Sequence, residues 1–482
     1  MSRSTKPRVH LHDLPPKAVV LTMAGVLIAM FMGALDSTIV ATAMPAIARS
    51  FGGLGSYSGV ITAYLIASTV ALPIGGRLSD VYGRKRFLIA GMAWFSVASL
   101  LCGLAGSMMQ LIVFRALKGL GAGVMQAAAT ATIADLYPPA RRGRVIGLLT
   151  TVSLVASVAG PLLGGYLTDG PGWRYVFFIN IPVGLVGCAV ILRYFPRLHR
   201  AEIKDFKIDY WGALLLVAGV VPLLLALHYI GDGGDWLAPD ILGLLVAGVV
   251  FSIIFLAAER RATHPIVPLQ LFKDPIISIG LLNTGLSMAV AFGLTLLTPL
   301  FLQGVLHDSA RVSGEILLPI SATFGITATA SGLLAGRIGR YRNLALAGTA
   351  IAVIGALMLT HVSAETSRLT LLLFAVVTAS GLGVCMPLYN IAVQNAAKLQ
   401  HLGLASSMVY FTRLMSAALA VAVYGAMLVS GEKTVGLAGA LDHIFWLMLG
   451  LCAAILVTTV FFKEIPLRRS NKKEPAANSQ TS

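Results

Sequence analysis

The sequence predicts an all-α polytopic membrane protein, and three observations carry that prediction. Of the 482 residues, 57% are hydrophobic and only 12% are charged, against about 45–50% and about 25% in soluble domains. Apolar runs of spanning length recur from end to end; a helix rising about 1.5 Å per residue needs about 20 residues to cross about 30 Å of hydrocarbon. The basic residues fall in short clusters between those runs, the pattern of loops facing the cytoplasm. Other classes are excluded by the same counts. Disorder needs low hydrophobicity. Cys102, Cys188, Cys385 and Cys452 each sit inside an apolar run without a CxxC pair, so no disulfide scaffold is expected. The net charge of +16 lies in loops, so no nucleic-acid partner is expected.

Fourteen runs read as spans, at roughly 19–46, 57–76, 87–106, 110–136, 145–168, 175–195, 210–230, 241–258, 276–302, 315–335, 344–362, 369–396, 404–429 and 444–462. Each must be helical, because a segment in lipid has to satisfy its own backbone. An even count puts both termini on one side. With the N-terminus inside, only Arg49, Arg174, Arg311, Arg368 and Lys433 of the 36 Lys and Arg fall in outer loops. That bias makes both termini cytoplasmic; the expected location is the plasma (cell inner) membrane. The first run is too long for a signal-peptide core and reads as an uncleaved anchor. The tail after Arg469 is polar and expected to be disordered. No loop is long enough for a folded domain, so function is expected among the helices.

An internal repeat organises the spans. Gly76-Arg77-Leu78-Ser79-Asp80-Val81-Tyr82-Gly83-Arg84-Lys85-Arg86 follows the second, and Gly332-Leu333-Leu334-Ala335-Gly336-Arg337-Ile338-Gly339-Arg340-Tyr341-Arg342 follows the tenth. Glycines, leucine and final basic positions coincide at one offset, eight spans apart. The economical division is a cytoplasmic N-tail (1–18), an N-terminal six-helix bundle (19–195), a linker (196–208), two additional transmembrane helices (209–258), a cytoplasmic loop (259–275), a C-terminal six-helix bundle (276–463) and a tail (464–482).

Four segments resemble a known family. Leu35-Asp36-Ser37-Thr38-Ile39-Val40 with Ala43-Met44-Pro45 resembles its helix-one signature. Gly76 to Arg86 resembles its loop between helices two and three. Arg115-Ala116-Leu117-Lys118-Gly119-Leu120-Gly121-Ala122-Gly123 resembles its helix-four motif. Gly160-Pro161-Leu162-Leu163-Gly164-Gly165, followed by Trp173-Arg174 and Phe178-Ile179-Asn180-Ile181-Pro182-Val183-Gly184, resembles its helix-five antiporter motif and the start of helix six. The family is the fourteen-helix drug:proton antiporter family of the major facilitator superfamily. The resemblance implies the major facilitator fold and export of small amphipathic compounds in exchange for protons by alternating access.

The residues have their own reading. Asp36 is the only carboxylate deep in any span, about ten residues or about 15 Å from the outer end of the first. An ionised carboxylate there is costly, so it favours the neutral form unless a cation is near. Such a group can bind and release a proton; it can equally be a structural carboxylate paired with a neighbouring helix. Arg115 and Lys118, one turn apart on the fourth span, both reach toward its depth. The resemblance implies proton coupling for Arg115, and a static Arg–Asp pair is the alternative. Lys118 departs from the family pattern, which usually has glutamine. It either snorkels to the outer surface or faces the cavity, where Arg413 would add another cation. Three cations against Asp36 argue against a lipophilic dication as substrate and for a neutral, zwitterionic or acidic one.

Tyr64 in the N-terminal bundle and Asn283, Tyr389, Asn390 and Gln394 in the C-terminal bundle are candidates for the substrate path; the last four could equally glue helices together. The resemblance implies a cytoplasmic gate at Gly76, Asp80, Gly83, Arg84 and Arg144, and an inter-bundle interface favouring antiport at Gly160, Pro161, Gly164 and Gly165. Topology signals and tight packing are the plainer alternatives. Signatures of an enzyme are absent: there is no HExxH, GxSxG or Walker motif. No cofactor, metal or obligate protein partner is expected; protons are the coupling ion, and the bilayer and a small molecule are the partners. An exporter dedicated to one neutral or acidic metabolite is the alternative. Less expected are an importer of the same fold and a non-transporting sensor or scaffold.

Overall fold

The computed structural model describes residues 16–51, 57–136, 139–195, 210–231, 237–262, 269–397 and 402–466, and every regular element among them is helical. The order is α1 (Pro16–Phe51), α2 (Tyr57–Tyr82), α3 (Arg84–Leu104), α4 (Met108–Leu136), α5 (Pro139–Asp169), α6 (Tyr175–Phe178), α7 (Asn180–Tyr194), α8 (Tyr210–Gly231), α9 (Pro239–Arg261), a short 3-10 turn (Leu269–Lys273), α10 (Pro275–Gly304), α11 (Ala310–Ile338), α12 (Arg342–Leu359), α13 (Arg368–Ala396) and α14 (Leu402–Val460). Eleven helices among the described residues are long and apolar enough to cross a membrane. The expected N-tail over its first 15 residues, the linker, and the C-terminal tail beyond residue 466 lie outside the described residues.

Two elements differ from the expected spans. The run at 175–195 is broken at Ile179 into α6 and α7. Pro182 has no N–H to offer the Phe178 carbonyl, and Ser99 Oγ donates to the neighbouring Phe177 carbonyl at 2.8 Å. The runs at 404–429 and 444–462 occupy the two halves of α14, which meet at Gly436 with φ 74° and ψ 172°. A side chain rarely tolerates that φ, so glycine permits the turn.

The apolar surface is inverted relative to a soluble protein. Leu242, Val246, Val249, Val250, Ile253 and Ile254 on α9 are exposed, as are Trp94, Val97, Leu100 and Leu104 on α3, a belt suited to lipid rather than water. Small residues bring helices close. A Cβ on Gly119 would overlap the Tyr64 backbone and one on Gly123 the Ser68 backbone, so this pair seats α4 on α2. α3 also packs on α4, and α1 packs on α5, α7 and α4. α12 packs on α13, α10 on α14 and α13, and α11 on α13. The first group, α1–α7, meets the second, α10–α14, along α5–α11, α2–α14 and α1–α10. α8 and α9 pack on each other and rest through α8 on α14 and α2.

Candidate functional site

Asp36 is fully buried on α1, and two cations of α4 close on it. Arg115 Nη1 donates to Asp36 Oδ2 at 2.6 Å, and its Nε donates to the Val60 carbonyl at 3.2 Å. Lys118 Nζ donates to Asp36 Oδ1 at 2.5 Å and to Ser99 Oγ at 2.7 Å. The three-residue spacing puts both cations on neighbouring faces of α4. Lys118 is therefore fully buried, neither reaching the outer surface nor joining the lining of the cavity between the two groups of helices, which corrects both expectations for it. Its ammonium lies among α1, α3 and α4, 4.6 Å from the Phe95 ring centroid and 5.2 Å from that of Phe177. Carboxylate, hydroxyl and two ring faces replace the water it would have found at the surface. One negative and two positive groups leave this cluster one positive charge in excess.

The Arg115 guanidinium stacks over the Tyr64 ring, 4.2 Å from its centroid. Tyr64 also lines a cavity of about 540 Å³ between the two groups of helices. Ser37 and Thr38 of α1 and Gln126 of α4 form one wall; Phe292 of α10, Phe324 of α11, Asn390 of α13, and Tyr410 and Arg413 of α14 form the other. Arg413 is the only charged residue among those described in the lining.

Three other expected cavity residues are absent from that lining. Asn283 donates to Thr459 Oγ1 at 3.1 Å and accepts from Thr458 Oγ1 at 2.6 Å. The Tyr389 hydroxyl lies 3.0 Å from Thr349 Oγ1 and 2.7 Å from Thr459 Oγ1. Both tie α10, α12, α13 and α14 together, their polar atoms answered by neighbouring hydroxyls. Gln394 is half-buried near the end of α13, away from the cavity. Asn390 does line it, its Oδ1 within 3.5 Å of Thr284 Oγ1. Gln126 and Tyr410 were missed. Gln126 continues the Gly119–Gly123 stripe that faces α2, a signal present in the sequence; Tyr410 sits one turn before Arg413.

At the motif joining α2 to α3, Gly83 has φ 103° and opens α3. Arg84 turns back on α2, donating to Ser79 Oγ at 2.7 Å and the Gly76 carbonyl at 3.4 Å. The side chains of Asp80 and Arg144 lie outside the described residues. On α5 a Cβ at Gly160 would overlap Thr38, and one at Gly164 would overlap Thr42 and Ile39, so both glycines seat α5 on α1. A Cβ at Gly165 would strike the Ala310 backbone, and one at Gly314 the Pro161 carbonyl, so the next face seats α5 on α11. At the end of the bundle where α1 finishes, Asp169 accepts from the backbone N–H of Ala310 at 3.2 Å and of Arg311 at 2.6 Å, at the start of α11. Gln303 Nε2 there donates to the Thr42 carbonyl at 3.0 Å and Ser313 Oγ at 3.2 Å.

An apolar belt, a mid-bundle cavity and a buried charge cluster beside it define a polytopic membrane protein with an internal site, and the family it matches makes it a transporter rather than an enzyme. A family model of the Major Facilitator Superfamily matches residues 26–421, and the chain belongs to that family. It is 35% identical to Multidrug transporter protein MdtP of Bacillus subtilis over 85% of this chain and 75% of that one. It is 36% identical to Multidrug resistance protein 3 of Bacillus subtilis over 83% of this chain and 78% of that one. A crystal structure of a peptide transporter, POT, in complex with sulfate shares the fold with TM-score 0.65 at 14% identity, covering 95% of this chain and 96% of that one.

Proposed function

We propose that the protein is a proton-coupled exporter of small amphipathic compounds, working by alternating access in the cell inner membrane with both termini cytoplasmic. Fourteen spans fit this reading if α5 and α8 cross and α14 crosses twice about Gly436. The α1–α7 and α10–α14 groups then act as the two rocking bundles. The relatives named for multidrug transport and resistance support efflux.

The observation that carries the coupling is Tyr64, one wall shared by two sites. One face of its ring covers Arg115 and the residue also lines the cavity. A compound that displaces Tyr64 disturbs the Arg115–Asp36 pair. Arginine does not deprotonate, so a proton enters or leaves this cluster through Asp36 or Lys118. Substrate and proton then compete through one set of contacts, which is what antiport needs. The glycine faces of α5 allow α1 and α11 to slide on it, and Asp169 and Gln303 are contacts that must break when that end opens.

The test uses everted vesicles with an acid interior, to which candidate compounds are added. Collapse of the gradient by a compound in wild type, absent in Asp36→Asn at equal membrane content, is the expected result. Equal collapse with Asp36→Asn refutes Asp36 as the proton carrier, and no collapse with either protein refutes the coupling. An exporter dedicated to one acidic metabolite is a second reading, favoured by Arg413, the one cation among the described lining residues.

A further inference from the structure

We infer that the cavity recognises an amphipathic anion, a carboxylate or similar acid on an aromatic body, and that Arg413 is the group that binds its charge. This rests on the transport reading above and names the substrate class of the same cavity. Arg413 has no ion pair and no hydrogen bond among the described residues, and no Asp or Glu stands in the described lining. Tyr410, one turn before it on α14, and Gln126 of α4 are polar residues of the same lining, and neither carries a charge to offset it. Arg413 is half-buried in the cavity wall, and a guanidinium at that depth with no counter-charge among the described residues is costly. A substrate acid supplies the missing charge, and its two oxygens match the guanidinium fork.

Among the described residues, the carboxylate beside the cavity is already taken. Asp36 is fully buried outside the lining and holds two cations of its own. A cationic compound entering here would meet Arg413 with no acidic residue in the described lining to offset it. The rest of the wall suits an aromatic body, with Phe292, Phe324, Met288 and Met386 facing the same space.

The experiment uses the full chain in lipid nanodiscs and three probes of one shape: 2-naphthoic acid, 2-naphthamide and 2-naphthylmethylamine. Binding is read by quenching of tryptophan fluorescence, without any gradient. The acid is expected to bind about 10- to 100-fold more tightly than the amide, the effect of one charge-assisted hydrogen-bonded pair, and the amine more weakly than the amide. Arg413→Gln should bring the acid to the level of the amide, and Arg413→Lys should restore part of the preference, which separates lost recognition from lost folding. An acid that binds no better than the amide, an acid preference that survives Arg413→Gln, or no binding of the acid up to its solubility limit overturns the inference. Binding as expected with no proton exchange in vesicles would leave it standing and sink the coupling instead.

Discussion

Neutralising Asp36 should do more than stop transport. Asp36→Asn leaves Arg115 and Lys118, which now share one carboxylate at 2.6 and 2.5 Å, as two adjacent buried cations with no counter-charge. Breaking a buried pair by removing one partner costs about 3–5 kcal/mol, and here the stranded charge is doubled. Lys118→Gln in the wild-type background leaves a matched Asp36–Arg115 pair and loses one charged hydrogen bond to Asp36 and one to Ser99, partly replaced by the amide. Its cost should be about 1–3 kcal/mol. In the Asp36→Asn background the same change removes a repelling cation and should stabilise. The sign of the Lys118→Gln effect therefore reverses with the residue at position 36, and the coupling in the double-mutant cycle should be 2 kcal/mol or more, roughly. Unfolding of the purified protein in mixed micelles titrated with SDS measures all four variants. A Lys118→Gln effect of the same sign in both backgrounds would refute the charge accounting on which the cluster's role rests.

Tyr64→Phe keeps the ring over Arg115 and should retain substrate-driven proton exchange, whereas Tyr64→Ala removes the shared wall and should leave binding but lose exchange; the vesicle assay separates them. Gly164→Val should disrupt the seating of α5 on α1 and lower the thermal stability of the purified protein by more than Leu163→Val on the exposed face. Gly83→Ala forces a side chain into φ 103° and should cost about 1–2 kcal/mol, read in the same micelle titration. Asp169→Ala frees the start of α11 and should raise the accessibility to maleimide of a cysteine introduced at Ser313, beneath that contact, relative to the parent.

Much of this was legible because lipid is an undemanding solvent to read against. Spans follow from length and apolarity alone, since each helix satisfies its own backbone. A carboxylate such as Asp36 stands out because the medium so rarely tolerates one. The small-residue spacing at Gly119 and Gly123 likewise announced a close helix contact, and it brought Tyr64 over Arg115. What one run of letters does not carry is the rotation of each helix about its axis. Successive residues turn about 100°, so an uncertainty of one residue in a helix's seating moves a side chain to another neighbour. Asn283, Tyr389 and Asn390 looked alike in sequence, yet two are held by threonines of adjacent helices and one meets the cavity. Lys118 had a surface and a cavity open to it and took neither, because a carboxylate from α1 and a hydroxyl from α3 converge where its chain ends. Composition and pattern determined a membrane bundle with one carboxylate deep in a span; only the packing of the helices decided which cations that acid would hold and which one, Arg413, would stand in the cavity wall without a counter-charge among the described residues.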